Sequence, residues 1–474
     1  MMNKLRFSAS IFVFLSLGAC ASMNAPDIST PPAWQSQVAE NAAPLDALWW
    51  QRFQSAELNR LVTEAVISNY DLKIAFSRVL QSEASAIAAG AALYPSVGAS
   101  GSVSHSERQL TAGSGSYFGS TGFSAGLQAS YQLDVFGAAR NSAAAATQRL
   151  NASLYSRETV TTTVIASVVS TYLQVLSARE RQQLTTDRLK NADAILKLLE
   201  IQRRIGTLSD LELAQQRAAL ANQRAALPAL RVAERQALDA LALLLGRNPQ
   251  GFDVEGRSLS DLALPVIAAG IPSTLLERRP DLRQAQANLK AANLDVAVAQ
   301  AARLPGIQLT ASGGTASAAL SDLFSTGTFA YSFGGSVAQT IFAGGRLLAQ
   351  EQGTRARDGE AALTYEKAVI SAFSDVENAL TAVTENGLQY DLAVEASTQS
   401  DLAYRLAELR YRNGVVDFQT VLNAQNAAFS SQESLVQNKL SRFSAVIGLT
   451  LALGGGWDGT LVDAPSMQAV YDPL

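Results

Sequence analysis

Two hydrophobic rhythms run along this chain, and each occurs twice. Within 56–93, Leu58, Leu61, Val62, Ala65, Leu72, Ala75 and Val79 recur at spacings of three and four, predicting a helix with one buried face. Pro95 ends that run, since proline cannot continue a helix and pushes the preceding residue into extended geometry. Val97, Ala99, Gly101 and Val103 then alternate with Ser and Gly. A Gly/Ser/Thr-rich stretch from about His105 to Gly122 reads as a loop. Phe123, Ala125, Leu127, Ala129, Tyr131, Leu133 and Val135 form one face of a returning strand. After Pro305 the design returns, with Ile307, Leu309, Ala311 and Gly313, then Phe329, Tyr331, Phe333, Gly335, Val337 and Ile341. Hairpins are expected at 96–135 and 306–341. Strands of about 9–11 residues with one apolar and one Ser/Gly/Gln/Thr face suit a barrel with lipid outside and water inside. A soluble sandwich also alternates, but its inward face would be bulkier.

The other rhythm is helical and unusually long. From Ala138 to Arg204 there is no proline and no glycine, and Ala343 to Arg412 is also free of proline. Val369, Phe373, Val376, Leu380, Val383, Gly387, Tyr390 and Val394 step alternately by four and three, a coiled-coil seam. Ile165, Val168, Tyr172 and Val175 match it 208 residues earlier. A helix of 67 residues, at about 1.5 Å each, reaches about 100 Å. Returning helices are expected near 208–245 and 416–453, with Pro228 kinking the first.

Local motifs repeat as well. Asn69-Tyr70-Asp71-Leu72 returns as Arg279-Pro280-Asp281-Leu282 at an offset of 210, and Arg204-Ile205-Gly206 returns as Arg412-Asn413-Gly414 at 208. Leu245-Gly246 returns as Leu453-Gly454, also at 208, whereas Phe136-Gly137 to Arg140 returns as Phe342-Ala343 to Arg346 at 206. This period is too long for a solenoid. The chain reads as a duplicated half, with repeats at 56–246 and 272–456, a linker at 247–271 and a tail at 457–474. Four strands cannot close a barrel, and an open edge in lipid leaves backbone groups unsatisfied. Several chains must share it. Three chains give twelve strands and leave a lumen, which favours a homotrimer.

The first residues set the expected compartment. Lys4 and Arg6 precede an apolar stretch, Phe7 to Leu17, too short to span a bilayer and ending in Leu17-Gly18-Ala19-Cys20. Residues 1–19 read as a lipoprotein signal peptide. Cys20, the only cysteine, reads as the acylated residue that opens an extended segment, 20–55. No later stretch reads as long and apolar enough for a transmembrane helix. A net charge of −4 supplies no basic stripe, so no nucleic-acid partner is expected. His105 is the only histidine, and no metal spacing, phosphate loop or nucleophile elbow occurs, so neither a cofactor nor catalysis is expected.

Ile271-Pro272-Ser273-Thr274-Leu275-Leu276-Glu277-Arg278-Arg279-Pro280-Asp281-Leu282 carries a specific likeness. So do Ala302-Arg303-Leu304-Pro305, Leu227-Pro228-Ala229-Leu230 and Gly454-Gly455-Gly456-Trp457. In this order they make the chain resemble the TolC-type outer-membrane efflux proteins, in the lipidated NodT/OprM-like branch. The resemblance implies a mainly α fold with a β-barrel portion: a trimeric twelve-stranded barrel in the outer membrane, continued by an α-helical periplasmic tunnel. It implies a periplasmic adaptor and an inner-membrane pump as partners, and export of small molecules such as drugs. It also implies adaptor docking at the hairpin tips, here Arg204, Gly206 and Thr207 with Arg412, Gly414 and Val415. A periplasmic gate is implied nearby, with Asp210, Tyr411, Arg412 and Asp417 as residues that bond between helices. Close relatives carry an acid where this chain has Asn423; with Gln419 and Asn426 a turn to either side, a neutral amide ring is expected. The competing readings are a duct for type I-like protein or peptide secretion and a trimeric lipid-anchored adhesin. An adhesin, however, would keep its barrel strands at one end of the chain.

Overall fold

A computed structural model describes residues 31–35, 45–109, 117–457 and 459. Cys20 and most of 457–474 lie outside these residues.

The first repeat opens with a short turn, Trp49–Phe53, and α1 (Ala56–Ser68) and α2 (Tyr70–Ala91) follow. The single helix expected over 56–93 is thus two. Asn69 takes ψ 133°, outside the helical range, and its buried side chain accepts from the amides of Asp71 and Leu72. An Asn that caps the next helix must leave the previous one. Strands β1 (Ser96–Gln109) and β2 (Tyr117–Leu133) lead into α3 (Ala138–Arg204) and the returning α4 (Asp210–Leu244). The second repeat runs through a single turn, α5 (Leu275–Arg278), then α6 (Pro280–Ala301), β3 (Gly306–Ser317), β4 (Phe329–Ala338), α7 (Arg346–Arg412) and α8 (Phe418–Ala452). Ile341 therefore lies beyond the last strand. Gly137 and Gly345 both take positive φ immediately before the long helices, so the helix starts are related by 208 residues, not by the 206 that the sequence motif suggested.

Within the stretch from His105 to Gly122, residues 105–109 and 117–122 are strand rather than loop, and 110–116 lie outside the described residues. Polar cross-strand pairs support these strand ends: His105 with Thr121 at 2.9 Å and Ser106 with Ser120 at 3.0 Å, continuing from Ser102 with Ser124 at 2.8 Å. β-structure here rests on side-chain hydrogen bonds, which alternation of apolar residues does not report.

Why the two repeats close alike is visible at one junction. Asn69 donates to the Leu244 carbonyl at 2.8 Å, and Arg279, 210 residues later, donates to the Ala452 carbonyl at 3.3 Å. Each side chain ties the start of a helix to the end of the returning one. Arg279 also holds Asp281 (2.7 Å) and Asp375 (3.0 Å), which accounts for the Arg-Pro-Asp motif. Gly246 and Gly454, both at positive φ, pass so close to this junction that a Cβ would lie 2.7 Å from the Ser68 oxygen or 2.4 Å from the Arg278 oxygen.

Two cores form, one centred on each repeat. The first gathers Phe53, Leu58, Val168, Tyr172 and Leu241, the second Leu282, Val369, Val376 and Leu449. One 18-residue window of α3 has a mean hydropathy of 1.4, enough for a membrane span by composition, contrary to the sequence expectation. Its Val164, Val168, Val169, Leu173 and Val175 are buried in the first core, and packing explains its hydropathy. The α7 seam is buried at Val369, Val376 and Leu380 but has rotated outward by Val394, 38% exposed.

Candidate channel, gate and docking tips

All four strands form one antiparallel sheet in the order β1-β2-β3-β4, leaving β1 and β4 as free edges. The register places odd-numbered residues on one face: Leu127 opposite Gly313, Tyr131 opposite Leu309, Ala311 opposite Phe333. Phe333 (81% exposed), Tyr331 and Val337 stand there largely uncovered, Tyr331 and Phe333 touching edge-on. The even face carries Ser, Gly, Thr and Gln, tied by pairs such as Ser312–Ser332 at 2.8 Å. A face of large bare apolar side chains backed by a hydroxylated one separates lipid from water.

The height fits too. From Leu133 opposite Ile307 up to Phe123 opposite Ser317, the sheet climbs ten residues, about 34 Å along the strand. A tilt of about 40° leaves a band of about 25 Å, the apolar height of an outer-membrane barrel. Above Phe123 the same face turns polar at Thr121, His105 and Glu107, so the β1–β2 ribbon stands clear of the band.

The long helices end in two matched tips. Gly206 (φ 79°) and Gly414 (φ 71°) reverse the chain, and nothing lies within 4 Å of where their Cβ atoms would be. Thr207 donates its amide to the Gln202 carbonyl and Val415 to that of Arg410, both closing the last helical turn. The next helices begin on caps: Ser209 with Glu212 in a reciprocal box, and Asp417 on the amide and hydroxyl of Thr420. Leu199, Leu208, Tyr404, Phe418 and Val421 weld both tips into one core. Arg204, Thr207, Arg412 and Val415 stay exposed around them.

The expected gate residues divide into two groups. Asp210 crosses the first tip to Arg203 (2.9 Å), and that hydrogen bond holds its carboxyl below the usual range. Tyr411 reaches from α7 to Gln202 on α3 at 3.1 Å and packs edge-on against Phe418. Arg412, by contrast, bonds Glu408 one turn back on its own helix, and Asp417 serves its own helix as the cap. Within one chain these two do not tie helices together. Gln419, Asn423 and Asn426 share one exposed face of α8, and Gln419 donates to Asn423 at 2.8 Å.

Sequence reasoning passed over the groups that join the two hairpins higher up. Arg188, 8% exposed, donates twice to the Gln432 amide oxygen at 3.2 Å and lies over the Phe429 ring. Burial pushes its guanidinium down to about 10, with Glu433 opposing. Glu433 is itself taken by Arg181. Burial pushes the Tyr404 hydroxyl up to about 12 nearby. On a polar helix such residues read as solvated, and only tertiary packing shows otherwise.

The sequence profile of the outer membrane efflux proteins matches residues 61–247 and 271–455. The chain belongs to that family. The pyoverdine export outer membrane protein OpmQ of Pseudomonas aeruginosa is 37% identical, over 94% of this chain and 95% of that protein. The toluene efflux pump outer membrane protein TtgC of Pseudomonas putida is 31% identical over the full length of both. Among solved structures, the outer-membrane channel OprN superposes with a TM-score of 0.84 at 27% identity, covering 91% of this chain and 99% of that one. The open state of the Neisseria gonorrhoeae MtrE channel gives 0.84 at 30% identity, covering 91% and 96%. The chain is thus an outer-membrane efflux protein of TolC-type fold. Its sheet is one third of a twelve-stranded barrel, and its long helices form part of a tunnel reaching into the periplasm.

The α8 amides carry a direct prediction. A carboxylate ring at a constriction attracts cations strongly, and an amide ring does not. Asn423→Asp is expected to raise divalent-cation block of the single-channel conductance by about ten-fold, while the wild type shows weak block. Strong block in the wild type that survives Asn423→Ala contradicts this role.

Proposed function

We propose that three copies of this chain form the exit duct of a tripartite efflux system. Small molecules leave an inner-membrane pump, enter at the helical tips through a periplasmic adaptor and pass out through the barrel. The observation that carries this is the pairing of a lipid-height sheet with 67-residue helices ending in open glycine turns. At about 1.5 Å per residue each helix extends about 100 Å, a length suited to crossing a periplasm and of no use to a porin. The relatives' names, which include export of pyoverdine and of toluene, favour small molecules over proteins as cargo. Acylation at Cys20 adds a lipid anchor in this reading.

The tips favour docking on physical grounds. Ile205 and Val415, each 69% exposed, sit beside the glycines, and a bare apolar pair next to an open backbone suits a partner's helix ends. The test places a photo-crosslinking residue at Ile205 or Val415 in cells that express the chain together with a periplasmic adaptor and inner-membrane pump that support its export. The expected product is an adduct with the adaptor, strongest during export. Adducts with the adaptor from Ser120 on the ribbon but none from the tips would overturn the orientation.

A further inference from the structure

Given the trimeric duct, on which this inference rests, the upper tunnel wall shows what class of cargo it receives. The helices pack there in the order α2-α3-α6-α7. Chain from outside the long helices covers one side of α3. Tyr172 donates to Glu57 of α1 at 2.7 Å, and Arg179 pairs with Asp253 of the linker. A duct keeps such irregular chain out of its bore. Ser142, Arg149 and Ser156, at seven-residue steps, lie on the opposite side of α3 and so face the lumen.

Two grooves run along this face. One, of about 690 Å³, lies over α3 between α2 and α6 and is lined by Arg78, Arg149 and Arg157. The other, of about 800 Å³, lies between α6 and α7 and is lined by Arg346 and Arg357. Asp295 of α6 lines the second groove and pairs with Arg149 of the first, while Arg157 pairs with its neighbour Glu158. Arg78, Arg346 and Arg357 have no carboxylate partner among the described residues. Glu360, a turn below Arg357, makes no ion pair with it, and Asp71 lies two turns below Arg78.

The duplication shows why Arg357 stays unpaired in the assembled ring. Arg149 and Arg357 are equivalent, 208 residues apart and each eleven residues below the start of its long helix. Asp295, which takes Arg149, corresponds at the 210-residue offset of α2 and α6 to Ser85. In a closed ring α7 lies beside α2 of the next copy, as α3 lies beside α6 of its own. Arg357 thus meets the next copy's Ser85 where Arg149 meets a carboxylate. Arg78 of that copy stands seven residues below Ser85 and lines the same groove of α2. Guanidinium groups bind carboxylate, sulfonate and phosphate in fork geometry, and basic rings in a pore draw anions. We infer that the three grooves between copies are binding sites for organic anions, the cargo class of this duct. Arg346 and Arg357 come from one copy, Arg78 and Ser85 from the next, and the site is incomplete in a single chain.

The test adds the polyanion pyrenetetrasulfonate to the barrel side of full-length trimers conducting in planar bilayers of neutral lipid. The wild type should be half-blocked at a concentration about ten-fold below that needed for Arg357→Ser. Arg357→Lys keeps the charge and should stay within about three-fold of the wild type. Ser85→Asp supplies the missing carboxylate and should weaken block as much as Arg357→Ser. Lys290→Ser, at an exposed position of α6 outside both grooves, should change block less than two-fold. Arg346→Gln replaces Arg357→Ser should that variant fail to form trimers on gels. Block left unchanged by Arg357→Ser, or by Ser85→Asp, overturns the proposal. So does Arg357-dependent binding of the probe to solubilised trimers without block of current, which would put the grooves on the outer face, against lipid headgroups. A conducting wild type that the probe does not block removes this inference alone. A wild type that does not conduct removes the duct reading itself, and this inference with it.

Discussion

Replacing Gly206 and Gly414 together by glutamine is expected to abolish export while leaving trimers in the outer membrane. The backbone cost is small. A non-glycine residue at positive φ costs about 1–2 kcal/mol, and no atom stands where the new Cβ would go. A welded tip core built on Phe418 and Leu199 tolerates that. The partner's approach does not, because two long side chains would stand on the bare surface where helix ends must meet. Asparagine separates the two effects. It tolerates the left-handed region, so a plain turn would be restored by Gly→Asn, whereas a docking surface would not. The measurement is the drug susceptibility of cells carrying each double variant, with trimer quantified in the same membranes. Susceptibility rising about ten-fold or more in both variants at unchanged trimer supports docking; recovery in the asparagine variant reduces the glycines to a turn.

The second large effect lies where the end of α8 meets the start of α6. Gly454→Ala is expected to prevent assembly of the second repeat. A methyl group there would sit 2.4 Å from the Arg278 carbonyl oxygen, on backbone that Arg279 pins through Asp281, Asp375 and the Ala452 carbonyl. Positive φ adds strain whatever the space. Relief requires separating α8 from the start of α6, at a cost of about 1–3 kcal/mol by comparison with overpacked cores, on top of the backbone strain. The same change at Gly246, against Ser68 at 2.7 Å and with Asn69 as the neighbouring tie, should be milder. Heat-resistant trimer on gels reads both: near-total loss for Gly454→Ala and a partial loss for Gly246→Ala. Equal tolerance of both would contradict the close-approach argument.

Most of the duct could be read from the chain because its physics is periodic. Lipid on one side and water on the other force an alternation of two, as at Phe329, Tyr331 and Phe333. Helix on helix forces steps of three and four, as at Val369, Val376 and Leu380. Duplication doubles each signal. What escaped was aperiodic. Asn69 breaks a continuous apolar pattern by capping, and its equivalence to Arg279 is one of task and not of side chain. The described strand ends at 105–109 and 117–122 carry polar pairs, His105–Thr121 and Ser106–Ser120, where apolar alternation would have signalled a strand. Arg188 is buried through contacts 244 residues away, which no local window contains. At the tips, Asp210 and Tyr411 do bond between helices, to Arg203 and Gln202, whereas Arg412 and Asp417 spend theirs within a single helix, a difference that residue type alone does not report.

Orientation underlies all of this: the sheet hairpins face the exterior and the helical tips hang into the periplasm. One cysteine at Thr326, in the β3–β4 turn, and separately one at Arg204, in the first helical tip, test it against the single native Cys20. Intact cells are treated with a membrane-impermeant thiol reagent, then treated again after the outer membrane is permeabilised. Thr326→Cys should label in intact cells, and Arg204→Cys only after permeabilisation. Labelling of Arg204→Cys in intact cells would place the helices outside the cell, and an efflux duct could not be built from this chain.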